Sequence, residues 1–487
     1  MNTTPNPLLM TDVYKLGHME QYAPGCSKVY SYLTARSDKT FSKTVFFGLR
    51  YYLEQYMSMK LEPWMGEELL EVRKAILGFN SPEVEKKVRA LCQLGYFPIE
   101  IKAVKEGTVM PVRNALMTIT NTHPDFYWCV GFVESLILKL WYPITVASCC
   151  YKYRETVDEF FELTVSDDQQ FLKDFSVHDF GYRGDASEEG AALSGVAFLV
   201  SFLGSDTVPA YPFAVRYYDA DRSQPIMLSV PASEHSVMCS FGREDELGAF
   251  RNMLCLYPTG IVSIVSDTFD VYRVLTEFAA ELKDQILSRP EGSKVVFRPD
   301  SGNPEYIICG DPNAVEGSNE WKGAIRLLDE MFGSTVNEKG YKVLNPKVGL
   351  IYGDGMYLER YRRTLERLKD MGYAASNLVI GVGGILRNHS RDTLGFAIKA
   401  TYVEVDGAPR EIEKDPVTDK AKKSHKGLLA LKWDNENAYT TEDRVTPEQE
   451  EGGLLIPVFR DGHILVRPTL AQIRRRVRMG IRQEELV

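Results

Sequence analysis

Between residues 197 and 384 the chain carries short apolar runs that each close on Gly, Asp or Ser: AFLVSFLGSD (197–206), GIVSIVSDTFD (260–270), KVVFRPDSG (294–302), VGLIYGDG (348–355) and NLVIGVGG (377–384). Amphipathic segments lie between them. Val271 to Ser288 puts Leu275, Phe278, Leu282 and Ile286 on one face, and Tyr357 to Asp370 does the same with Leu358, Tyr361, Leu365 and Leu368. Strand, polar loop and helix in succession is the sequence form of a parallel sheet covered by helices. Several such units within about 240 residues suit an α/β barrel, complete or partial, better than an open doubly wound sheet. In either arrangement the functional loops gather at the carboxyl ends of the strands. This chain concentrates its Asp, Arg and Gly there.

The flanking zones read differently. Residues 1–150 mix helix and strand: Ser81 to Leu94 opens on a Ser cap followed by Pro and continues at helical spacing, and the segment from Pro98 to Thr120 alternates like antiparallel strands. The barrel-like zone spans 151–387. From 388 to 487 the chain is more polar and includes a basic loop, KDPVTDKAKKSHKG (414–427), whose Gly, Pro and Asp suit a mobile segment closing over an anion. The 57 Lys and Arg face 67 Asp and Glu, a net charge of −10, which argues against nucleic-acid partners. No secretory signal is visible at the start. The most apolar stretch, Trp128 to Cys150, is interrupted by Glu134 and Lys139 and reads as a core helix, with no membrane partner. The eight cysteines form no C-x-x-C pair and read as reduced core residues of a cytoplasmic protein.

The strand-end loops suggest the chemistry. Asp206 ends an apolar run, so it projects from a strand end into a pocket or caps the following helix. Arg298 and Asp300 flank a Pro: the Arg can clamp phosphate oxygens, and the Asp can accept from sugar hydroxyls or hold metal-bound water. Gly353-Asp354-Gly355 and Gly381-Val382-Gly383-Gly384 let backbone N–H groups approach a phosphate. Neither a P-loop nor the G-x-G-x-x-G fingerprint occurs. Together these loops point to a sugar-phosphate ligand. His178 and His235 each stand alone, and no ligand-spaced Cys/His cluster suggests zinc.

The order T-D-V-Y-K (11–15), S-K-V-Y-S-Y (27–32), H-D-F-G-Y-R-G (178–184), G-S-D-T (204–207), P-A-S-E-H-S (231–236), V-S-D-T-F-D (265–270), R-P-D-S-G-N-P (298–304), G-D-G and K-D-P-V (414–417) resembles the nicotinamide phosphoribosyltransferase family. The resemblance runs from near residue 8 to at least 430. It implies a type II phosphoribosyltransferase fold, an α/β barrel-like domain plus a second α+β domain built from both chain ends, with active sites shared in a homodimer. It implies the conversion of nicotinamide and phosphoribosyl pyrophosphate to nicotinamide mononucleotide and pyrophosphate in NAD salvage, with Mg²⁺ held mainly through pyrophosphate oxygens and water, and ATP as activating co-substrate.

Residue by residue, Phe180 and a partner-lent Tyr14 match the aromatics that hold the base. Asp206 matches the carboxamide acceptor, and Arg183 lines the same pocket. Arg298, Asp300, Gly353, Asp354, Gly383 and Gly384 match ribose and 5′-phosphate contacts. Arg36, Arg391, Lys399, Lys414 and Lys422 match pyrophosphate or ATP positions, with Asp12 nearby. His235 matches the histidine that ATP phosphorylates, and Asp267 its supporting carboxylate. The glycine loop is one residue shorter than the animal G-S-G-G-G pattern, and His425 stands where a Lys is usual.

Charge bears on substrate choice. A carboxylate at 206 can accept from the amide of nicotinamide but would face the carboxylate of nicotinic acid. Like charges ~4 Å apart cost about 1 kcal/mol in water and about 4 at an effective dielectric of about 20. Nicotinate as the substrate, or a catalytically silent nucleotide-binding protein, are the competing readings. A sugar-phosphate aldolase or isomerase would need a Lys nucleophile or general base at a strand end, and none is evident.

Overall fold

The computed structural model describes residues 5–418, 423–434 and 438–480. It divides into two units, one of Met1–Ser148, Phe213–Ala220 and His389–Val487, the other of Cys149–Pro212 and Asp221–Asn388. The sequence reading places 213–220 in the barrel-like zone, whereas the structure joins it to the first unit. The physical reason for the difference is an aromatic cluster: the Tyr51 ring packs against Phe213 and Tyr217, both at 4.8 Å, and the Tyr217 hydroxyl bonds Gln55. Arg50, 3% exposed, adds an ion pair to Asp219 at 2.8 Å.

The second unit is built on a six-stranded parallel sheet. Its order is Gly204–Ser205, Val177–Asp179, Leu378–Val382, Val348–Tyr352, Lys294–Arg298 and Ile261–Val265. Four of these strands lie in the apolar runs as expected, and most of their Val, Ile and Leu side chains are buried, as parallel strands covered on both faces require, with Ile261 at the sheet edge exposed. The segment 228–233 touches both edges of this sheet. Ser205 N donates to Leu228 O at 3.1 Å, and Ser233 N donates to Ser263 O at 3.0 Å. The sheet is thereby drawn toward closure, which makes the unit barrel-like. Helix Leu358–Asp370 buries Tyr361, Leu365 and Leu368, and the helical run Val271–Leu287 buries Leu275, Phe278, Leu282 and Ile286.

One apolar run, 197–206, is mostly not a strand. Ala197 to Leu199 ends a helix, Glu188–Leu199, and only Gly204–Ser205 is strand. This helix is buried from Ala191 to Leu199 without interruption, so it shows no polar face, and apolar periodicity alone cannot separate it from a buried strand.

The first unit joins the two chain ends in one antiparallel sheet. Cys26–Thr34 pairs on one side with Ala397–Val405 and on the other with Met117–Asn121, followed by Ile99–Ala103 and Ile456–Arg460. Helix Pro82–Leu94 begins as its sequence directs, with Ser81 Oγ accepting from Val84 N at 3.1 Å. The apolar stretch Pro124–Thr164 has the length and composition to cross a membrane, but 67% of its most apolar window is buried in the protein. All eight cysteines are free thiols. Six are buried, whereas Cys239 and Cys255 are exposed, contrary to the core reading for those two.

Candidate active site

The carboxyl ends of the parallel strands open into a cavity of about 810 Å³, within the size range of small-molecule sites. Phe180, Arg183, Asp206, His235, Asp267, Arg298, Asp300, Gly353, Asp354, Gly383 and Gly384 all line it. The sequence signals drawn from seven separate segments therefore converge on one concave surface.

On one wall of the cavity, Phe180 follows strand Val177–Asp179, and its N donates to Val382 O at 3.0 Å. Its ring lies on the backbone of Gly381, where an added Cβ would sit 2.1 Å from the ring. Asp206 follows the short strand Gly204–Ser205 and is fixed by its N donating to Asp179 O at 2.9 Å. Its carboxylate faces the cavity rather than capping a helix. His178 Nε2 stands 3.4 Å from Asp206 Oδ1, and Ser229 Oγ donates to the same oxygen. Burial pushes the Asp206 carboxyl up, but the adjacent His178 imidazole, donation from Ser229 and the charge of Arg298 outweigh it and hold the group below its ordinary range. The His178 ring needs the space left by Gly204, whose Cβ would meet its Nδ1 at 2.6 Å. Arg183 is exposed, in the turn Tyr182–Gly184.

On another wall, Arg298 Nη2 donates to Asp300 Oδ2 at 3.0 Å, and its guanidinium lies 5.1 Å from the Phe180 ring centre. Asp300 Oδ1 and Arg298 Nε are buried with no hydrogen-bond partner among the described residues. Burial pushes the Asp300 carboxyl up, Arg298 opposes, and Asp267 adds to the rise. An orphaned buried carboxylate oxygen costs free energy unless a ligand supplies a donor. Gly384 has open space where a Cβ would stand, so ligand atoms can approach its backbone closely.

His235 opens the short helix His235–Cys239. Its Nε2 lies 3.2 Å from Asp267 Oδ1, with the imidazole half-exposed and the carboxylate buried. Asp267 Oδ2 accepts from Asp300 N at 2.8 Å and Ser301 Oγ at 2.6 Å. The carboxylate thus has one oxygen fixed by the Asp300–Ser301 loop and the other turned to the imidazole. A carboxylate partner places the ring proton on Nε2 and leaves the lone pair on Nδ1.

The remaining predicted residues belong to the other unit. Lys399 is half-buried in strand Ala397–Val405, opposite Tyr32. Burial pulls its ammonium below the ordinary range, Glu134 opposes, and the charges of Arg36, Lys414 and Lys15 add to the fall. These four cations therefore share one neighbourhood. Arg36 Nε is fixed on Gly395 O at 2.9 Å, and Lys15 is paired with Glu134 at 2.7 Å. Arg391 is exposed and pairs with adjacent Asp392, while Asp12 accepts from Ser135. Tyr14 is 61% exposed. Lys422 lies outside the described residues. His425 rests on the Tyr32 ring at 5.4 Å, with its Nδ1 3.5 Å from Asp443.

Sequence reasoning missed Ser229, Ser301 and Lys15 and treated His178 as a lone histidine. A serine carries no signal of its own. His178 was legible in principle, because it sits two residues before Phe180 and therefore on the same side of the strand end. Among the described residues no group of three or more His, Cys, Asp or Glu is arranged to hold a metal ion.

Residues 175–452 match the nicotinate phosphoribosyltransferase family, and residues 6–69 match the nicotinamide phosphoribosyltransferase N-terminal domain. The chain is 41% identical to a nicotinamide phosphoribosyltransferase of Acinetobacter baylyi, with 97% of each covered. It is 38% identical to one of Xanthomonas campestris, over 97% of this chain and 98% of that one. The fold is similar to a nicotinate-nucleotide pyrophosphorylase of Pyrococcus furiosus (TM-score 0.59, 15% identity, 100% of this chain and 98% of the other). It is also similar to the human nicotinic acid phosphoribosyltransferase (TM-score 0.56, 17% identity, 97% and 93%). By sequence over nearly its whole length, the chain belongs to the nicotinamide phosphoribosyltransferases, within the nicotinate phosphoribosyltransferase family.

Proposed function

We infer that this pentosyltransferase joins nicotinamide to phosphoribosyl pyrophosphate, releasing pyrophosphate and nicotinamide mononucleotide, with Asp206 selecting the base. The observation that carries the reading is the Asp206 carboxylate, held ionised by His178 and Ser229 in the same cavity as Phe180 and the Arg298–Asp300 pair. The ring nitrogen of the base forms the new bond to the anomeric carbon as the bond to the pyrophosphate oxygen breaks. Positive charge develops on the sugar and negative charge on the leaving group, and Asp300 and Asp354 lie on the wall assigned to the sugar.

An ionised Asp206 accepts from the carboxamide NH₂ and repels the carboxylate of nicotinate, which favours the amide. Tyr14, an exposed aromatic, fits a ring lent to a second copy of the chain, so the active form is a homodimer. The Lys399, Arg36, Lys414 and Lys15 neighbourhood fits the pyrophosphate of substrate or ATP. The orphaned Asp300 Oδ1 suits a ribose hydroxyl or a metal-bound water. When bound, Mg²⁺ would neutralise charge on the leaving pyrophosphate.

His235 fits the role of phosphoryl acceptor: Nδ1 carries the lone pair, Asp267 holds Nε2–H, and the γ-phosphoryl of ATP passes to Nδ1 as ADP leaves. The exposed free thiols of Cys239 and Cys255 fit a reducing cytoplasm. The test is pyrophosphate release with nicotinamide or nicotinate as base, with and without ATP. Faster turnover of nicotinate than nicotinamide would overturn the assignment of Asp206.

A further inference from the structure

The two turns read as holding base and phosphate are joined by a group that neither role uses. Arg387, three residues beyond Gly384, has a side chain with no exposure at all. Its Nη2 donates to both oxygens of Asp179, at 2.9 and 2.8 Å, and its Nε donates to Asp185 Oδ2 at 2.8 Å. Asp179 stands immediately before the turn Phe180–Gly184 and Asp185 immediately after it, so one guanidinium grips both ends of that turn. The acceptors are themselves anchored. Asp179 also accepts from Gly181 N, Ser205 Oγ and Thr207 Oγ1, and Asp185 from Ser194 Oγ.

The turns also touch directly. A Cβ on Gly181 would meet Arg387 Cζ at 2.8 Å, and one on Gly184 would meet Gly384 Cα at 2.9 Å. On the other side, Arg387 N donates to Gly384 O at 2.9 Å. Any displacement of Gly384 is therefore passed to Arg387 and on to Phe180 and Arg183 through close-packed atoms that cannot compress.

We propose that Arg387 is a positioning residue that couples the Phe180–Gly184 turn to the Val382–Gly384 turn, so that a sugar phosphate bound at one improves the fit of the base at the other. This rests on the functional reading above. A guanidinium suits the task because its fork reaches two carboxylates at once and its charge does not titrate, whereas a lysine ammonium offers a single point. Removing Arg387 itself would strand Asp179 as a buried unpaired charge, so the informative changes are at Asp185.

The experiment measures nicotinamide affinity by calorimetry, with and without saturating ribose 5-phosphate, which cannot turn over. The wild type is expected to bind nicotinamide at least about fivefold more tightly with the sugar phosphate present, as coupled sites typically do. Asp185→Ala is expected to bring this enhancement to within about twofold of none, and Asp185→Asn, which keeps an acceptor for Nε, to restore it. Ser194→Ala, which leaves Arg387 in place, is expected to keep it and controls for simple loosening. Absence of enhancement in the wild type, or its survival in folded Asp185→Ala, overturns the coupling while leaving the functional reading intact. Failure of the wild type to make nicotinamide mononucleotide from the two substrates overturns both.

Discussion

Asp300 Oδ1 occupies the space in which a side chain at position 353 would begin: a Cβ on Gly353 would lie 2.1 Å from it. The glycine is there to admit a carboxylate, not to supply flexibility. Gly353→Ala must push the Asp300 carboxyl aside, and a displacement on the order of 1 Å in a catalytic group costs roughly 100-fold. The expected result is a fall of that size in kcat/KM for phosphoribosyl pyrophosphate.

Substitution of Asp206 is expected to shift base choice. Asp206→Asn replaces an ionised acceptor with a neutral one, and losing a charged hydrogen bond is worth about 1.5–3 kcal/mol. Nicotinamide kcat/KM is expected to fall roughly 10- to 100-fold while nicotinate use rises relative to it. Steady-state assays with the two bases measure both. The wild-type preference should hold down to acid pH, because the folded carboxyl stays ionised below its ordinary range.

Asp300 sets activity against stability. Burial raises its pKa in the folded state, so the unfolded chain loses this proton more readily. Stability from this group is therefore full below the ordinary carboxyl value of 3.8 and is lost as pH rises through the raised folded value. Asp300→Asn is expected to leave the Tm at pH 7 unchanged or higher while turnover falls at least about 100-fold, a trade seen where function holds a strained group. Thermal melts at pH 4 and 7, compared with the wild type, check the sign.

The proposed role of His235 as phosphoryl acceptor makes ATP coupling depend on it. His235→Ala is expected to abolish the ATP-dependent increment in nicotinamide mononucleotide formation and the accompanying ATP hydrolysis. The imidazole is half-exposed, so the effect on stability should stay within about 0.5 kcal/mol. Acid-labile ³²P incorporation from labelled ATP is the direct readout.

Lys399 has its pKa drawn below the ordinary 10.5 by burial and then by its cationic neighbours. In the proposed pyrophosphate role the charged form is the one that binds, so the KM for phosphoribosyl pyrophosphate should climb as pH rises, starting below that value. Lys399→Arg, which stays charged, should flatten the profile.

Much of the site was legible because its residues end apolar runs. Asp206, Arg298, Asp300 and Asp354 each follow a hydrophobic stretch, and strand ends in parallel sheets point to one face. The Ala197–Leu199 segment escaped because a helix buried on all sides has no period to read. His178 and Ser229 escaped because their meeting with Asp206 is made by strand neighbours and by a segment 23 residues further on, which local pattern does not encode. The 213–220 segment escaped for a related reason: its place is decided by partners some 160 residues earlier, the Tyr51 ring and the Gln55 side chain that accepts from Tyr217.

The antiparallel sheet of the first unit has a consequence for biosynthesis. Strand Cys26–Thr34 leaves the ribosome early, but its neighbour Ala397–Val405 follows about 370 residues later. Until then one row of its backbone amides and carbonyls has no native mate and is open to mispairing with other nascent chains. Premature stop codons before that region would therefore yield aggregating fragments rather than shortened enzymes, even where every catalytic loop had already been translated.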